Sequence, residues 1–141
     1  MSIGYRVFIV HSDDSVEHIS QKAFEGFFSR NEPSLKKFAG SNIHIAMALY
    51  TLKERKPEQV IRIDNMRLTV NTDGSLDEDR SSDALRLAMN RVYPAEERAE
   101  SMAPVIDATA KFDERRWEQY NPKLSGPAHK KILERLFGGN V

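Results

Sequence analysis

The stretch from residue 42 to residue 70 constrains the fold most, because it holds two long segments with the two-residue alternation of β-strands. In residues 42–52 both alternating faces are largely uncharged, which is typical of a strand inside a sheet. A second strand is predicted at 60–70, and the short polar link at 53–59 predicts an antiparallel hairpin. The side chains predicted to face the core are Ile43, Ile45, Met47, Leu49, Ile61, Ile63, Met66 and Leu68.

The apolar pattern of the second strand changes phase in its middle. Ile61 and Ile63 fall on one phase, whereas Met66 falls on the other. A strand with one buried face would turn half of these side chains toward water unless one extra residue restored the alternation. The sequence therefore predicts a β-bulge at Asp64 and Asn65.

The chain before the hairpin shows a strand signal and then a helix signal. Residues 5–10 are β-branched and aromatic, which predicts a first strand. Asp14 and Glu17 form a capping-box pattern, and apolar residues then recur at helical spacing to about residue 30, so a helix is predicted there. Residues 34–40 predict one short helical turn that ends at a glycine.

After the hairpin, Gly74 predicts a tight turn that returns the chain as a short strand at 75–77. Beyond residue 80, serine caps, prolines and apolar stripes predict three helices. The expected fold class is α+β: a small, mainly antiparallel sheet of three main strands and a short fourth, in the order β-α-β-β-β, followed by three C-terminal helices that pack on it. One domain is expected over 1–141, with sheet and first helix in 1–79 and the helical third in 80–141.

Composition narrows the classes of function. The chain of 141 residues has no cysteine, so disulfides, thiolate catalysis and cysteine-bearing zinc sites are excluded. Its 21 basic and 21 acidic residues give a formal net charge of zero, so the whole molecule exerts no long-range attraction on nucleic acid. We expect a cytoplasmic protein that binds no membrane, no metal and no cofactor.

The loop after the first strand contains a possible polar site, formed by His11, Asp13 and Asp14. An imidazole beside two carboxylates is suited to proton transfer or to a divalent metal. A simpler interpretation is a solvated loop whose acids stabilise a helix start. No glycine lies between Val10 and Gly26, and the acids would repel phosphate, so a phosphate-binding loop is not predicted here.

The hairpin face opposite the predicted core offers a second candidate site. Its polar side chains surround the small residues Ala46 and Ala48, and they would suit a small polar ligand if the face were open. If the C-terminal helices cover it, the same side chains become buried partners of those helices. The candidate ligand-binding residues are His44, Tyr50, Arg62, Asp64 and Arg67.

The C-terminal stretch is basic, with aromatic residues between the bases, which is a pattern that nucleic-acid-binding segments share. Its candidate RNA contacts are Arg115, Arg116, Lys130 and Lys131. Trp117 and Phe112 also fit an apolar helix stripe, and nearby glutamates can pair with the bases, so a packed helix with a solvated face is the favoured interpretation.

No catalytic spacing or cofactor fingerprint distinguishes one activity. The first expectation is a non-catalytic interaction module or a homodimer, with a protein partner or a second copy of the chain. The alternatives are a small enzyme or ligand-binding protein that uses the His44 face, and an RNA-binding protein that uses the basic helices.

Overall fold

The computed structural model describes residues 3–20, 23–24, 33–75, 77, 115, 117–118 and 121–138. Four strands and one C-terminal helix, α1, form the main elements. The helix continues into a π-helical turn, and a short 3₁₀ helix precedes the hairpin. The bounds are β1 Ile3–Val10, β2 Val16–Ile19, the 3₁₀ helix Pro33–Phe38, β3 Asn42–Lys53, β4 Lys56–Thr69, α1 Gly126–Leu133 and the π-helical turn Glu134–Gly138.

The four strands form one antiparallel sheet in the order β2-β1-β3-β4. The predicted hairpin is confirmed as β3 and β4, and the broad α+β class is confirmed with it. Glu54 and Arg55 form the hairpin turn with φ values of 54° and 66°. Two left-handed residues in a two-residue link match the twist of the flanking strands. β4 therefore begins at Lys56, and much of the predicted polar link is strand.

The predicted helix after β1 is wrong at its start, because Val16–Ile19 is strand β2. The loop from His11 to Ser15 closes on itself: His11 N–H donates to Ser15 O at 2.9 Å, and Asp13 accepts bonds from Ser15. This closure turns the chain back, so that Val16 pairs with Val10. Ala23 and Phe24 are helical, and the rest of the predicted helix lies outside the described residues.

The predicted bulge at Asp64 and Asn65 is also wrong. Asp64 pairs with Met47 and Asn65 with Ala46 in regular register. Two extra residues shift the register nearer the hairpin turn: Ile61, between the partners of Leu49 and Tyr50, and Glu58, between the partners of Thr51 and Leu52. The phase change has another cause: β4 buries side chains on both of its faces. Ile63 lies on one face and Met66 on the other, so neither apolar phase needs correction.

We name the two faces of the sheet by one central residue each. The Met47 face carries the fully buried Val7, Ile9, Ile45, Met66 and Leu68. The Phe8 face carries the small residues Ala46 and Ala48, and α1 packs on it. The buried residues that pack together between the Phe8 face and the C-terminal segment are Phe8, Val16, Ala46, Ala48, Tyr50, Ala128, Ile132 and Leu136.

Of the three predicted C-terminal helices, α1 is the one that the described residues establish. Arg115, Trp117 and Glu118 are helical, in agreement with a helix predicted before α1, and the remaining residues from 78 to 114 lie outside the described part. No helix in the described part of the chain is long and apolar enough to cross a membrane.

Two loops of five residues share one hydrogen-bond pattern, at 11–15 and at 71–75. In each, an aspartate in the third position accepts from the backbone N–H of the serine in the fifth at 2.9 Å and from its hydroxyl at 2.6 Å. The fourth position is left-handed in both: Asp14 has φ 68° and Gly74 has φ 89°. The returning strand predicted after Gly74 stays a prediction: Asp77 N–H donates to Thr69 O at 2.9 Å across the turn, and Leu76 lies outside the described residues.

Gly74→Val should lower the free energy of unfolding by about 2 kcal/mol, because a β-branched residue is strained at this φ. A Cβ there would also lie 3.0 Å from Lys36 Cγ and 3.3 Å from Lys36 Cα. Urea unfolding of both proteins measures the difference. Gly138→Val is the matched control, because no atom lies within 4 Å of its Cβ position. Equal stability losses in the two variants would contradict the strained-turn explanation.

Candidate functional site

A pocket of about 340 Å³ opens at the end of the sheet where β1 ends and β3 begins. Two parts of the chain enclose it: the ends of three strands with the loop after β1, and the segment at 121–125 that leads into α1. Its volume lies within the range of small-molecule sites, about 300–1,000 Å³. The lining residues are Val10, His11, Ser12, Asp14, Asn42, His44, Arg67, Lys123 and Ser125.

Strand register places three of these residues in one row across the Phe8 face. Val10 pairs with His44, and His44 pairs with Arg67. Neighbouring strands are about 4.8 Å apart, so Val10 and Arg67 stand on opposite sides of the pocket with His44 between them. His11, Asp14 and the rest of the loop continue directly from the Val10 side. The row therefore separates a β1 side of the pocket, next to Val10, from a β4 side, next to Arg67.

His44 is held in place by a neighbour on the same face. Its Nε2 lies 2.8 Å from the side-chain oxygen Oδ1 of Asn65. Donation from Nε2 to that oxygen leaves Nδ1 as the acceptor nitrogen of the neutral ring. Partial burial lowers the pKa of His44 below 6.5, and the nearby Arg67 guanidinium lowers it further, while the bond to Asn65 opposes the shift. The ring is therefore mainly neutral at neutral pH.

Asn65 also anchors the other wall of the pocket. The side-chain amide of Asn121 donates to the backbone oxygen of Asn65 at 3.0 Å and accepts from Trp117 Nε1 at 3.1 Å. This contact fixes the start of the segment that carries Lys123. Sequence reasoning missed Asn65 as a site residue. The signal for it was the polar pair Asp64 and Asn65 between the apolar residues Ile63 and Met66 in the middle of β4.

Arg67 and Lys123 are both exposed in the pocket mouth. Neither makes a hydrogen bond or an ion pair with the part of the chain that the structure describes. Cations on a surface usually find a carboxylate or extend into water. Two cations that have no partner among the described residues, beside two histidines, make the pocket attractive to an anion.

Asp14 and Ser125 join the loop after β1 to the start of α1. The Ser125 hydroxyl donates to Asp14 Oδ1 at 2.7 Å and accepts from the backbone N–H of Ala128 at 3.1 Å, so Ser125 is the helix N-cap. Pro127 has no N–H to offer. The polar groups that this end of α1 presents to the pocket are therefore mostly side chains.

The structure divides the predicted His44 site between the two faces of the sheet. His44, Tyr50 and Arg67 lie on the Phe8 face, but Tyr50 is buried beneath α1. Arg62 and Asp64 lie on the Met47 face, where Arg62 Nε donates to Asp64 Oδ2 at 2.9 Å. The expected group of His44, Tyr50, Arg62, Asp64 and Arg67 is thus not assembled. The regular register at Asp64 is the reason.

The predicted polar cluster in the loop after β1 is divided as well. His11 and Asp14 line the pocket, whereas Asp13 stays outside it. The hydrogen bonds from Ser15 lower the pKa of Asp13, which marks it as a loop-closing residue. No group of three or more potential metal ligands occurs among the described residues.

Three of the four predicted RNA contacts are described, and they lie on solvated helix surface. Arg115, Lys130 and Lys131 are exposed, and Arg116 lies outside the described residues. Trp117 is buried, so its ring is not available to stack on a base.

Comparison with protein-family models, with curated proteins and with solved structures finds no match to this chain. The pocket is therefore interpreted from its own residues.

The free energy of unfolding should fall as the pH drops below about 6.5, because unfolded histidine takes up a proton that folded His44 resists. Burial lowers the pKa of His18 too, so both residues contribute in the same direction. His44→Gln should flatten this fall between about pH 7 and pH 5. Denaturant unfolding at several pH values measures it.

His129→Gln is the matched control for that experiment, because His129 is exposed on α1. A His44→Gln profile as steep as the wild-type profile would contradict the burial of an uncharged His44.

Proposed function

We propose that this protein binds a small anionic ligand, with a phosphate or carboxylate group, in the pocket between β3, β4 and the segment that leads into α1. One observation carries the proposal: His11, His44, Arg67 and Lys123 converge on a single pocket, and Asp14 is the one acid among the described residues that line it. In a molecule of zero net charge, such a local excess of basic groups is an attraction for anions.

The basic side chains suit different parts of anion recognition. The planar Arg67 guanidinium can donate two parallel hydrogen bonds to a carboxylate or phosphate. Lys123 supplies a compact charge from the segment that leads into α1. His44 can add a third positive charge, because a bound anion favours its protonated form. Asn65 holds His44, so this ring would meet the ligand in one orientation.

The other functions predicted from the sequence stay predictions. RNA binding through Arg115, Arg116, Lys130 and Lys131 is favoured less, because Trp117, an aromatic residue between those bases, is buried. A pocket of this size supports binding of a small molecule best.

Calorimetric titration with inorganic phosphate and with propionate should detect binding at low ionic strength. Arg67→Gln and Lys123→Gln should each weaken the affinity roughly fivefold or more, the effect of losing one partly solvated ion pair. Added salt should weaken binding in the wild-type protein, because it screens exposed charges. Lys56→Gln is the matched control, since Lys56 is exposed at the opposite end of β4. Equal affinities in all four proteins would overturn the proposed site.

Binding of propionate, which stays ionised over this range, should also become tighter as the pH falls from about 7.5 to about 5.5, because the anion raises the lowered pKa of His44 and the complex takes up a proton. Titrations in buffers of different ionisation enthalpy count the protons. The His44→Gln variant should take up fewer protons on binding. Unchanged proton uptake in this variant would exclude His44 from the anion's surroundings.

A further inference from the structure

The pocket that we propose for an anion also carries one negative charge, on its β1 side. Asp14 lies on the β1 side, where its carboxylate reaches Ser125, and Arg67 lies two strands away on the β4 side. Val10, which leads into the loop that carries Asp14, and Arg67 are two strand spacings apart, about 10 Å. A simple anion placed at Arg67 gains nothing from Asp14, and one placed at Asp14 is repelled.

The backbone of the loop after β1 does not explain why position 14 is an aspartate. The loop at 71–75 makes the same bonds as the loop at 11–15 and has Gly74 in the corresponding left-handed position. Glycine adopts that conformation without strain, so the loop itself does not require an aspartate. Asp14 makes a single side-chain hydrogen bond with the described residues, through Oδ1, and its Oδ2 accepts none. One carboxylate oxygen therefore remains available on the pocket wall.

We infer that the ligand of this pocket is a small amino-bearing anion, whose ammonium group meets Asp14 while its phosphate or carboxylate group meets Arg67 and Lys123. The inference rests on the proposed anion site and adds the second charged end of the ligand. Such a molecule satisfies both walls, whereas an anion without the amine leaves the free oxygen of Asp14 unmatched. Ser12 and Asn42, which also line the pocket, are neutral and can serve the uncharged middle of the ligand.

Two matched pairs of probes test this inference by calorimetry: phosphoethanolamine against ethyl phosphate, and β-alanine against propionate. The members of each pair share the anionic group and differ by one amine. The pair that binds identifies the anionic group. In the wild-type protein the amine-bearing member should bind roughly fivefold tighter, the value of one partly solvated ion pair.

Asp14→Asn removes the charge and little else. Asparagine tolerates a left-handed φ, and its side-chain oxygen can still accept from Ser125. The preference for the amine should disappear in this variant, while the probe without the amine binds as tightly as before or tighter. Asp13→Asn is the matched control, because Asp13 is exposed and outside the pocket, and it should keep the wild-type preference.

The outcomes separate the two proposals. The anion site stands if the probes bind and Arg67→Gln weakens their affinity. The amine inference is nevertheless wrong if the wild-type protein shows no preference for the amine, or if that preference survives in Asp14→Asn. In that case the negative charge of Asp14 serves the N-terminal end of α1, and a lower unfolding free energy of Asp14→Asn would show it. If no member of either pair binds, both proposals fail.

Discussion

The pocket depends on the burial of the Phe8 face beneath α1. The short side chains of Ala46 and Ala48 leave space above the middle of the sheet, and Ile132 and Leu136 of the C-terminal segment fill it. Complete burial of side chains of this size contributes about 1.5–3 kcal/mol each. Because α1 is fixed on this face, the segment before it must cross the end of the sheet, where Lys123 and Ser125 complete the pocket.

A small polar network joins this packing to the pocket. Asn65 uses its side chain to hold His44 and its backbone oxygen to hold Asn121, which in turn accepts from the buried Trp117. Buried polar groups are costly unless they are paired, and these pairs leave one favoured arrangement. The ring that faces the pocket is thus positioned by the same residue that anchors the pocket's second wall. Partial burial keeps that ring mainly uncharged until an anion or a lower pH changes the balance.

The sequence predictions that the structure confirms rested on local patterns, and those that it corrects depended on contacts between separate segments of the chain. Alternation over many residues predicted β3 and β4 correctly, and Gly40 and Gly74 were expected at turns where the structure gives them positive φ. The capping-box pattern at Asp14 was misleading, because its polar neighbours Asp13 and Ser15 close a hairpin loop there instead of starting a helix. The bulge was misplaced since one buried face had been assumed, and a strand covered on both sides needs no correction of phase.

The sequence by itself determined the hairpin, the amphipathic C-terminal helix and the absence of thiol chemistry, because local periodicity and composition carry that information. Only the tertiary structure decided which residues share the pocket. His11 and Asp14, His44 and Arg67, and Lys123 come from four separate segments, and strand register together with the seating of α1 brings them to one place. A register one residue different would exchange the two faces of β4, and with them Arg67 for its neighbours. Pairing between distant segments follows from packing of the whole domain, which no local pattern in the chain records.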